Sequence, residues 1–366
     1  MTGRTINRIM VFLPNWVGDV VMATPVLREI RQKNFPDAKV AFFGRAVSLA
    51  VMAGSSWADV IIEDTSRKKP RLRNFLSTVR AVRQFAPDVT LLLPNSFRSA
   101  LIARLGRCGR IIGYARSGRT LLLDEKIMPV FSADSPTGFK PMPMLDYYSR
   151  LLEPLGMNCV NRTMELPVTP DGEEQACRLL AECGYDAARP LVMLNPGASF
   201  GTSKLWPAER FAALADALAD EFSAQIIINA APNPNEQAIA AKVSASMKTR
   251  PLVDFASRNN SIASLKSLVK RCALMVTNDT GTRHIAAAFG CGVVTIFGST
   301  DPVWAQIDYP RERIVRVDVP CGPCQKKFCP LPAGPSHHRC VTGVSVDMVL
   351  AACRELLGSE SVEKRL

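Results

Sequence analysis

The sequence lacks a hydrophobic run long enough to cross a membrane. Although 47% of its 366 residues are hydrophobic, no stretch approaches the roughly 18 apolar residues that a spanning helix needs. The apolar run Ile9–Leu13 near the amino terminus is also too short for the core of a secretory signal. We therefore expect a folded cytoplasmic protein in which this run forms the first strand.

Three familiar ligand-binding motifs are missing as well. No G-x-G-x-x-G follows the first apolar run, which disfavours a dinucleotide-binding turn. No D-x-D occurs, so a metal-dependent sugar-nucleotide site of that type is not expected. The stretch GASFGTSK approaches a Walker A loop, but leucine follows Lys204 where serine or threonine is needed, which argues against Mg-nucleotide hydrolysis.

Acidic residues are scarce in the first half of the chain. Residues 1–166 hold 24 Lys and Arg against 13 Asp and Glu, whereas residues 167–366 hold 21 against 20. A basic half suits an anionic partner, for which nucleic acid, membrane headgroups and an acidic saccharide all qualify; solubility alone is the other interpretation. The chain lacks the aromatic stacking motifs of nucleic-acid binders, so we expect no nucleic-acid partner.

The pattern of apolar runs predicts an α/β protein with two doubly wound domains. Short, continuous apolar strands alternate with helical patterns in both halves, as expected for parallel sheets covered on two faces. Leu166–Gly172, with two prolines and Asp-Gly, looks like a linker. The predicted domains are 1–166 and 167–345, followed by a helix within 346–366, and ligands are expected in a cleft between the two domains.

Two loops of the second half are candidates for phosphate binding. Small residues and the hydroxyls of Thr202 and Ser203 precede Lys204 and a helix, so N–H groups and an ammonium could surround an anion. Another strand ends before Asp279, and a helix then opens with Thr280–Thr282, whose free N–H groups attract negative charge. Two such loops suit a diphosphate. Alternatively, the loop before Lys204 could be a solvated loop, and Asp279 could simply cap the helix that follows it.

Three further side chains have both a functional and a structural interpretation. Glu236 follows a strand and could accept hydrogen bonds from ribose hydroxyls, or it could simply lie in the first turn of a helix. His284 is expected to be packed in the core rather than catalytic. Asp19, in the turn PNWVGD after the first strand, could cap a helix or act as a general base.

Three separated stretches resemble one known family. They are PNWVGDVVMATPVLREIR, LNPGASFGTSKLWPAERFAALA and NDTGTRHIAAAFGCGVVTIFGSTDP, in this order, and the similarity spans almost the whole chain. They are similar to the ADP-heptose:lipopolysaccharide heptosyltransferases of glycosyltransferase family nine, and the CGPC…CP…HHRC segment resembles the heptosyltransferase II branch. The resemblance implies a GT-B fold in which the first Rossmann-like domain holds the acceptor, the second holds the ADP-sugar, and the last helix crosses back to the first.

The resemblance also implies a role for each matching residue. Asp19 would be the base of an inverting transfer, while Lys204 and the helix start at Thr280-Gly281 would stabilise the departing ADP. Glu236 would bind the ribose. The residues expected to contact the donor are Gly18, Thr202, Ser203, Lys204, Glu236, Asp279, Thr280, Gly281 and Thr282. The implied substrates are ADP-heptose and a lipid A–core oligosaccharide, with no cofactor required for transfer.

Contacts with the acceptor and with a membrane are expected in the basic first half. The candidate acceptor residues, all of them basic, are Arg98, Arg116, Arg119 and Lys140. The segment RKKPRLR, residues Arg67–Arg73, could meet the anionic inner face of the inner membrane, which predicts peripheral attachment; it could equally be a solvated loop.

The last motif is the cysteine-rich segment CGPCQKKFCPLPAGPSHHRC. Thiols and imidazoles at these spacings suit a tetrahedral zinc or an iron–sulfur site, and reduced thiols that pack a long connection are the alternative. The candidate ligands are Cys321, Cys324, Cys329 and Cys340, with His337 and His338.

Two rival functions stay open at the level of sequence. One is a transferase that uses another ADP-sugar. The other is a non-catalytic nucleotide-sugar-binding protein, which would keep Lys204 and the Thr280-Gly281 turn but would need no acid at position 19.

Overall fold

The chain folds into two compact units, residues 1–167 and 168–366, in a computed structural model that describes residues 6–363. Each unit contains a six-stranded sheet in which all neighbouring strands are parallel. The predicted α/β architecture with two doubly wound domains is therefore confirmed. The boundary between the units falls inside the segment that the prolines marked as a linker.

The inner strands of the first unit are buried, as expected for a parallel sheet with helices on both faces, whereas its two edge strands are partly exposed. Its strands are β1 (Arg8–Phe12), β2 (Lys39–Gly44), β3 (Val60–Glu63), β4 (Val89–Leu92), β5 (Ile111–Tyr114) and β6 (Glu125–Ile127). Its helices are α1 (Val17–Met22), α2 (Thr24–Arg28), α3 (Ala46–Met52), α4 (Arg71–Phe85), α5 (Phe97–Leu105) and α6 (Met144–Ser149). The order β3-β2-β1-β4-β5-β6 places the topological switch point, where ligands bind in such sheets, between β1 and β4.

A helix break near the amino terminus keeps α1 short. Regular helix ends at Met22 and restarts at Thr24, with Pro25 in the first turn of α2, where its missing N–H needs no partner. A π-helical turn, Glu29–Asn34, continues α2. The short α1 therefore begins just beyond the carboxyl end of β1, close to the switch point.

The second unit repeats the topology of the first. Its strands are β7 (Leu191–Asn195), β8 (Gln225–Ile228), β9 (Val253–Asp254), β10 (Leu274–Asn278), β11 (Gly292–Ile296) and β12 (Glu312–Val315). Its helices are α7 (Pro170–Glu182), α8 (Ala208–Phe222), α9 (Pro234–Ser246), α10 (Ile262–Val269), α11 (Gly281–Ala288), α12 (Arg339–Thr342) and α13 (Val346–Glu363). The order β12-β11-β10-β7-β8-β9 places its switch point between β7 and β10.

The two ends of the second unit differ in how far they follow the sequence-based expectation. α7 begins inside the predicted linker because Pro170 occupies its first turn and the Thr169 hydroxyl accepts from the Gly172 N–H at 3.1 Å. α13 packs against α8 and β11 of its own unit. A crossing of 346–366 to the first domain stays a prediction, and residues 364–366 lie outside the described residues.

No helix within residues 6–363 combines the length and the apolar character that a bilayer crossing requires.

Candidate active site

Asp19 lies in the first turn of α1, at the switch point of the first unit. Its side chain is partly buried, and it makes no hydrogen bond or ion pair within the described residues. It is not a helix cap, because Trp16 holds the N-cap position and no side chain caps this helix. Burial raises the pKa of the Asp19 carboxyl to about 7. An unpartnered carboxyl with this pKa is suited to taking up a proton near neutral pH.

Two neighbours of Asp19 define its surroundings. Gly18 is buried beside it in α1. Tyr148, from α6, is also buried, and its burial holds the pKa of its phenol well above the ordinary value. The negative charge of Asp19 is the second largest cause of this increase. The carboxylate therefore lies near a phenol that stays neutral.

A basic pocket opens at the carboxyl ends of β1, β2 and β4. It is a shallow depression lined by Arg45, Arg67 and Arg98, with Asp64 as the one acid among its lining residues. The Arg98 guanidinium donates to the Ser66 carbonyl at 3.0 Å, and none of the three arginines pairs with an acid within residues 6–363. The pocket therefore has an excess of positive charge that is available to an anionic ligand.

The four basic residues predicted to bind an acceptor lie in different environments. Arg98 lines the basic pocket. The Arg116 guanidinium lies 4.0 Å from the centre of the Phe139 ring, next to the exposed Lys140 in the sequence. Arg119 is fully buried and has no exposed surface for a ligand.

Arg119 instead supports the wall of the basic pocket. Its guanidinium donates to the carbonyl of Pro94, to Asn95 Oδ1 at 3.0 Å and to the carbonyl of Tyr114 at 3.0 Å. Burial lowers its pKa to about 10, so it stays charged at neutral pH. A fully buried, hydrogen-bonded cation that ties β5 to the end of β4 positions the loop that Pro94 begins.

Lys204 and Asp279 meet at the switch point of the second unit. Lys204 Nζ donates to Asp279 Oδ2 at 2.5 Å and to its carbonyl at 3.1 Å, and both side chains are nearly buried. The Thr300 hydroxyl donates to the same carboxylate oxygen at 2.8 Å. Burial alone would raise the pKa of Asp279, but the charges of Lys204 and Arg283 outweigh it, so the pKa lies below its ordinary value.

A chain of alternating charges continues inward from this pair. Arg283 Nη1 lies 3.6 Å from Asp279 Oδ1, and the same fully buried guanidinium forms two hydrogen bonds with Glu312, at 2.9 and 2.8 Å. Thr295 also donates to Glu312, at 2.8 Å. His284 beside it stays neutral, because burial and the charge of Arg283 hold its pKa well below the ordinary value. Lys204 is therefore the outermost member of a network with balanced charge.

Three asparagines, hydrogen-bonded in a row, position the start of α11, and the sequence analysis did not identify this network. Asn260 donates to Asn229 at 2.8 Å, Asn229 donates to Asn195 at 2.7 Å, and Asn195 donates to the Thr280 hydroxyl at 3.1 Å. The Thr280 hydroxyl is 2.7 Å from that of Thr282, and Gly281 opens the helix. Asn195 ends β7 and Asn229 follows β8 directly. A polar residue at the end of a buried strand is the signal that could have identified them.

Glu236 bonds to the loop that carries Lys204. Its carboxylate accepts from Ser199 Oγ at 2.9 Å and from the Ala231 N–H at 3.1 Å. A Cβ on Gly197 would lie 2.6 Å from Glu236 Oε2, so a larger residue here would displace the carboxylate from its present position. Besides any contact with a ligand, the acid therefore ties the first turn of α9 to the loop after β7.

The two hydroxyls before Lys204 are used differently. Thr202 is exposed, whereas Ser203 is buried and donates to the Lys326 carbonyl at 2.5 Å. The Ser203 N–H donates to the Lys327 carbonyl at 3.2 Å. The cysteine-rich segment therefore covers this loop, and Thr202 is the hydroxyl that stays accessible.

All four cysteines of that segment are free thiols. The ligand atoms of Cys329, His337 and His338 lie within 4.8 Å of one another. Burial raises the pKa of the Cys340 thiol, and the nearby thiols of Cys324, Cys321 and Cys329 raise it further. The structure therefore gathers the predicted ligands on the loop after β12.

Two doubly wound parallel sheets define an α/β protein with two Rossmann-like units. The sequence profile described as glycosyltransferase family 9 (heptosyltransferase) matches residues 75–333. The chain therefore belongs to glycosyltransferase family 9 and is a glycosyltransferase.

Individual proteins agree with this family. The chain is 27% identical to lipooligosaccharide heptosyltransferase 2 of Campylobacter jejuni, over 96% of this chain and 98% of that protein. It is 22% identical to lipopolysaccharide heptosyltransferase 2 of Salmonella typhimurium, over 97% and 100%.

Solved structures show the same fold. A family 9 glycosyltransferase from Veillonella parvula superposes with a TM-score of 0.81 at 20% identity, over 98% of this chain and 99% of that one. ADP-heptose LPS heptosyltransferase II of E. coli superposes with a TM-score of 0.75 at 22% identity, over 97% and 99%. The predicted GT-B fold is confirmed by this likeness, while the cleft between the domains stays a prediction.

Proposed function

We propose that this protein transfers a heptose from ADP-heptose to the inner core of lipopolysaccharide, with inversion at the anomeric carbon. Membership of glycosyltransferase family 9 and the names of its relatives support the substrate class. The observation that carries the reaction is the unpartnered carboxyl of Asp19, whose pKa of about 7 fits a general base.

Asp19 is the proposed general base. Its ionised carboxylate takes the proton of the acceptor hydroxyl as the hydroxyl oxygen forms a bond to the anomeric carbon and the bond to ADP breaks. Since the transition state resembles an oxocarbenium ion, a nearby negative charge stabilises it further. One direct displacement of this kind inverts the configuration at the anomeric carbon.

The leaving group is proposed to bind at the switch point of the second unit. ADP gains negative charge as the glycosidic bond breaks, and Lys204 together with the N–H groups that open α11 can stabilise that charge. Asp279 holds the ammonium in place before the donor binds. A preorganised cation does the work for which other transferases use a metal ion at the diphosphate.

The remaining predicted donor contacts divide by accessibility. Thr202, Thr280 and Thr282 have exposed or partly exposed side chains that suit contact with phosphate or sugar oxygens. Glu236 is partly buried at the start of α9, where one carboxylate could accept from ribose hydroxyls. We propose that Ser203 contributes through its position rather than its hydroxyl, which is already donated.

The acceptor is proposed to bind in the basic pocket of the first unit. The inner core of lipopolysaccharide is a phosphorylated saccharide that also bears carboxylates, and guanidinium groups bind both anions through paired hydrogen bonds. Arg45, Arg67 and Arg98 supply three such groups against the single acid of the pocket, Asp64, with which none of them forms an ion pair within residues 6–363. Arg116 and Lys140 stay candidates for contacts further along the saccharide.

Peripheral attachment to the anionic inner membrane is proposed through α4. Its exposed face carries Leu72, at 73% exposure, and Leu76, at 57%, one helical turn apart. Basic residues surround them, and of the segment Arg67–Arg73 only Lys68 pairs with an acid within the described chain, Glu63 at 2.7 Å. Cations that attract lipid headgroups beside apolar side chains that enter the interface are typical of surface-bound helices.

The decisive experiment compares Asp19→Asn with the unchanged protein, using ADP-heptose and a truncated core acceptor. We expect turnover, followed by product mass and ADP release, to fall about 10²–10⁴-fold, the usual contribution of a positioned base. ADP should bind unchanged, because the base contacts the acceptor rather than the nucleotide. Asp37→Asn, the same change on an exposed turn of the same unit, is the control.

Lys204 is tested in the same assay by the loss of ADP affinity. Lys204→Met removes the closest cation from the buried Asp279 and unbalances the charge of the network, so the double variant Lys204→Met/Asp279→Asn is included to restore the balance. Near-normal turnover in Asp19→Asn would reject the base. ADP binding without turnover in the unchanged protein would favour the non-catalytic rival, and turnover only with a different ADP-sugar would favour the other transferase.

A further inference from the structure

The strongest unassigned feature is the side-chain cluster on the loop after β12. One thiol and two imidazoles, those of Cys329, His337 and His338, have ligand atoms within 4.8 Å of one another. Sulfur and nitrogen ligands at this separation match what a tetrahedral metal of the zinc type requires once the ligands close around it.

The hydrogen bonds around the cluster orient these groups as a metal site does. His337 Nδ1 lies 2.7 Å from the Leu331 carbonyl, which fixes the proton on Nδ1 and leaves the Nε2 lone pair available. The His338 N–H points at Cys329 Sγ, at 3.4 Å. A carbonyl behind the imidazole and an N–H to the sulfur are the partners that orient ligands and stabilise a thiolate in metal centres.

A fourth ligand is available from the same segment. Cys321, Cys324 and Cys340 are free thiols, and Cys340 follows His338 by two residues on α12. A long connection with little regular structure, such as the one from β12 to α12, lacks the backbone hydrogen bonds that would hold it in place. A metal cross-link would supply that constraint.

We propose that Cys329, His337, His338 and one neighbouring thiolate bind a single zinc-type metal ion, and that this metal holds residues 325–327 against the loop that carries Lys204. On binding, each ligating thiol releases its proton to solvent and donates the sulfur lone pair to the metal. The mixed thiolate and imidazole set favours one ion over an iron–sulfur cluster built on four cysteines.

The coupling to the Lys204 loop rests on backbone contacts between Cys324 and Cys329. The carbonyls of Lys326 and Lys327 accept from the side chain and the N–H of Ser203. The Gln325 N–H donates to the Ser299 carbonyl at 2.8 Å, one residue before Thr300, whose hydroxyl contacts Asp279. Fixing this segment therefore fixes both loops that surround the Lys204–Asp279 pair.

The first test measures metal content and local protection in the full-length protein. Elemental analysis after anaerobic purification should find about one zinc or iron per chain, because a four-ligand site of this kind retains its ion. Trypsin should cut the Lys327–Phe328 bond at least about tenfold faster after chelation, since loss of the cross-link permits local opening. Metal-free protein that resists cleavage at this bond would overturn the proposal.

Variants identify the ligands. Cys329→Ser and His337→Gln should lose the metal and the protection, whereas Cys183→Ser, a partly buried cysteine outside the segment, should keep both. One of Cys321→Ser, Cys324→Ser and Cys340→Ser should match the effect of Cys329→Ser. If none does, four-ligand binding is refuted.

A final arm, which rests on the proposed function, measures ADP affinity by calorimetry with zinc-loaded and chelated protein. Chelation should weaken ADP binding about tenfold, as expected when a second set of contacts that positions a site is lost. Metal retention and protease protection do not depend on ADP, so their failure is distinguishable from a failure to bind nucleotide. Unchanged ADP affinity after chelation would reject the coupling.

Discussion

At the scale of single residues, two aspartates show how environment sets acidity. Asp19 is partly buried without a partner, and burial raises its pKa to about 7. Asp279 is more deeply buried, yet the charges of Lys204 and Arg283 outweigh burial and keep its pKa below the ordinary value. The same residue type is therefore prepared to accept a proton in one unit and to stay ionised in the other.

The raised pKa of Asp19 predicts the pH dependence of transfer. Because the base must be ionised, kcat/KM should rise about tenfold per pH unit below pH 7 and level off above it. The measurement is kcat/KM from pH 5.5 to 9 with the acceptor varied. A profile that is flat through pH 7 would contradict an essential base with this pKa.

The raised pKa of Asp19 also predicts that the ionised carboxylate, which favours catalysis, lowers the stability of the fold. The pKa of Asp19 is about 7 in the folded protein, above its ordinary value of 3.8. Ionisation of this carboxyl therefore costs the folded state more than the unfolded state, and stability is lost as the pH rises from 3.8 to about 7. Asp19→Asn should therefore raise the free energy of unfolding at pH 8 by on the order of 1 kcal/mol once partial exposure is allowed for, which is seen as a higher Tm, and should change it little at pH 4. Asp37→Asn should leave Tm unchanged at both pH values.

Residue type alone did not separate the four basic candidates of the first domain. Arg98 and Arg119 are both arginines near the ends of neighbouring strands, yet one lines a pocket and the other is fully buried. Their difference arises from which carbonyls the folded chain brings within reach. Those carbonyls, such as Pro94 for Arg119, lie 25 residues away in the sequence.

At the scale of elements, the strands that contain a continuous apolar run were predictable, and three edge strands without such a run were not. β1, β7 and β10 are five-residue strands that each contain a continuous apolar run of three or four residues, which the sequence pattern indicates directly. β6, β9 and β12, which lie at the edges of their sheets, were missed because their two to four residues include charged side chains and form no apolar run of three residues. β3 is also a short edge strand, but its run of three apolar residues made it predictable. Their pairing depends on the neighbouring strand rather than on their own composition.

The contact between two loops predicts the effect of one glycine substitution. A Cβ on Gly201 would lie 2.2 Å from the Lys327 carbonyl oxygen, so Gly201→Ala must push residues 326–327 away from Ser203. We expect a stability loss of about 1–3 kcal/mol and weaker ADP binding, measured by denaturant titration and calorimetry. Gly358→Ala, where a Cβ meets nothing within 4 Å on an exposed helix position, is the control and should keep or slightly raise the stability, because alanine is favoured over glycine in a helix. Equal stability of the two variants would mean that the loops do not depend on this contact.

At the scale of the whole molecule, the charge is distributed unevenly. Nearly all of the net charge of +12 belongs to the first half of the sequence. In that unit, α4 combines exposed leucines with the basic segment before it, and the open pocket carries three arginines. An anionic surface would therefore attract the first unit rather than the second.

This asymmetry predicts how the protein partitions onto vesicles. Leu72→Ser/Leu76→Ser should weaken binding to anionic phospholipid vesicles about tenfold, since two partly inserted apolar side chains are lost. Binding of the unchanged protein should also fall as salt rises, because screening weakens the attraction. Val160→Ser, at 81% exposure outside α4, is the control in a sedimentation assay. Equal partitioning of all three proteins would reject α4 as the attachment site.

The sequence by itself determined two parallel-sheet units and the loops at which their polar residues gather. Continuous apolar runs are buried as strands of a covered sheet, so a polar residue that follows such a run lies at the carboxyl end of a strand, where ligands bind. These local constraints were enough to mark Asp19, Lys204 and Asp279 as candidates.

Only the tertiary structure decided which of those groups are paired. Lys204 meets Asp279 across 75 residues and Ser203 meets Lys326 across 123, while Asp19 is left without a partner. Such contacts depend on how strands align and how loops fold over them, which no local pattern encodes. Burial and pairing together set the charge of each group, so the chemistry of the site became readable only after the chain was folded.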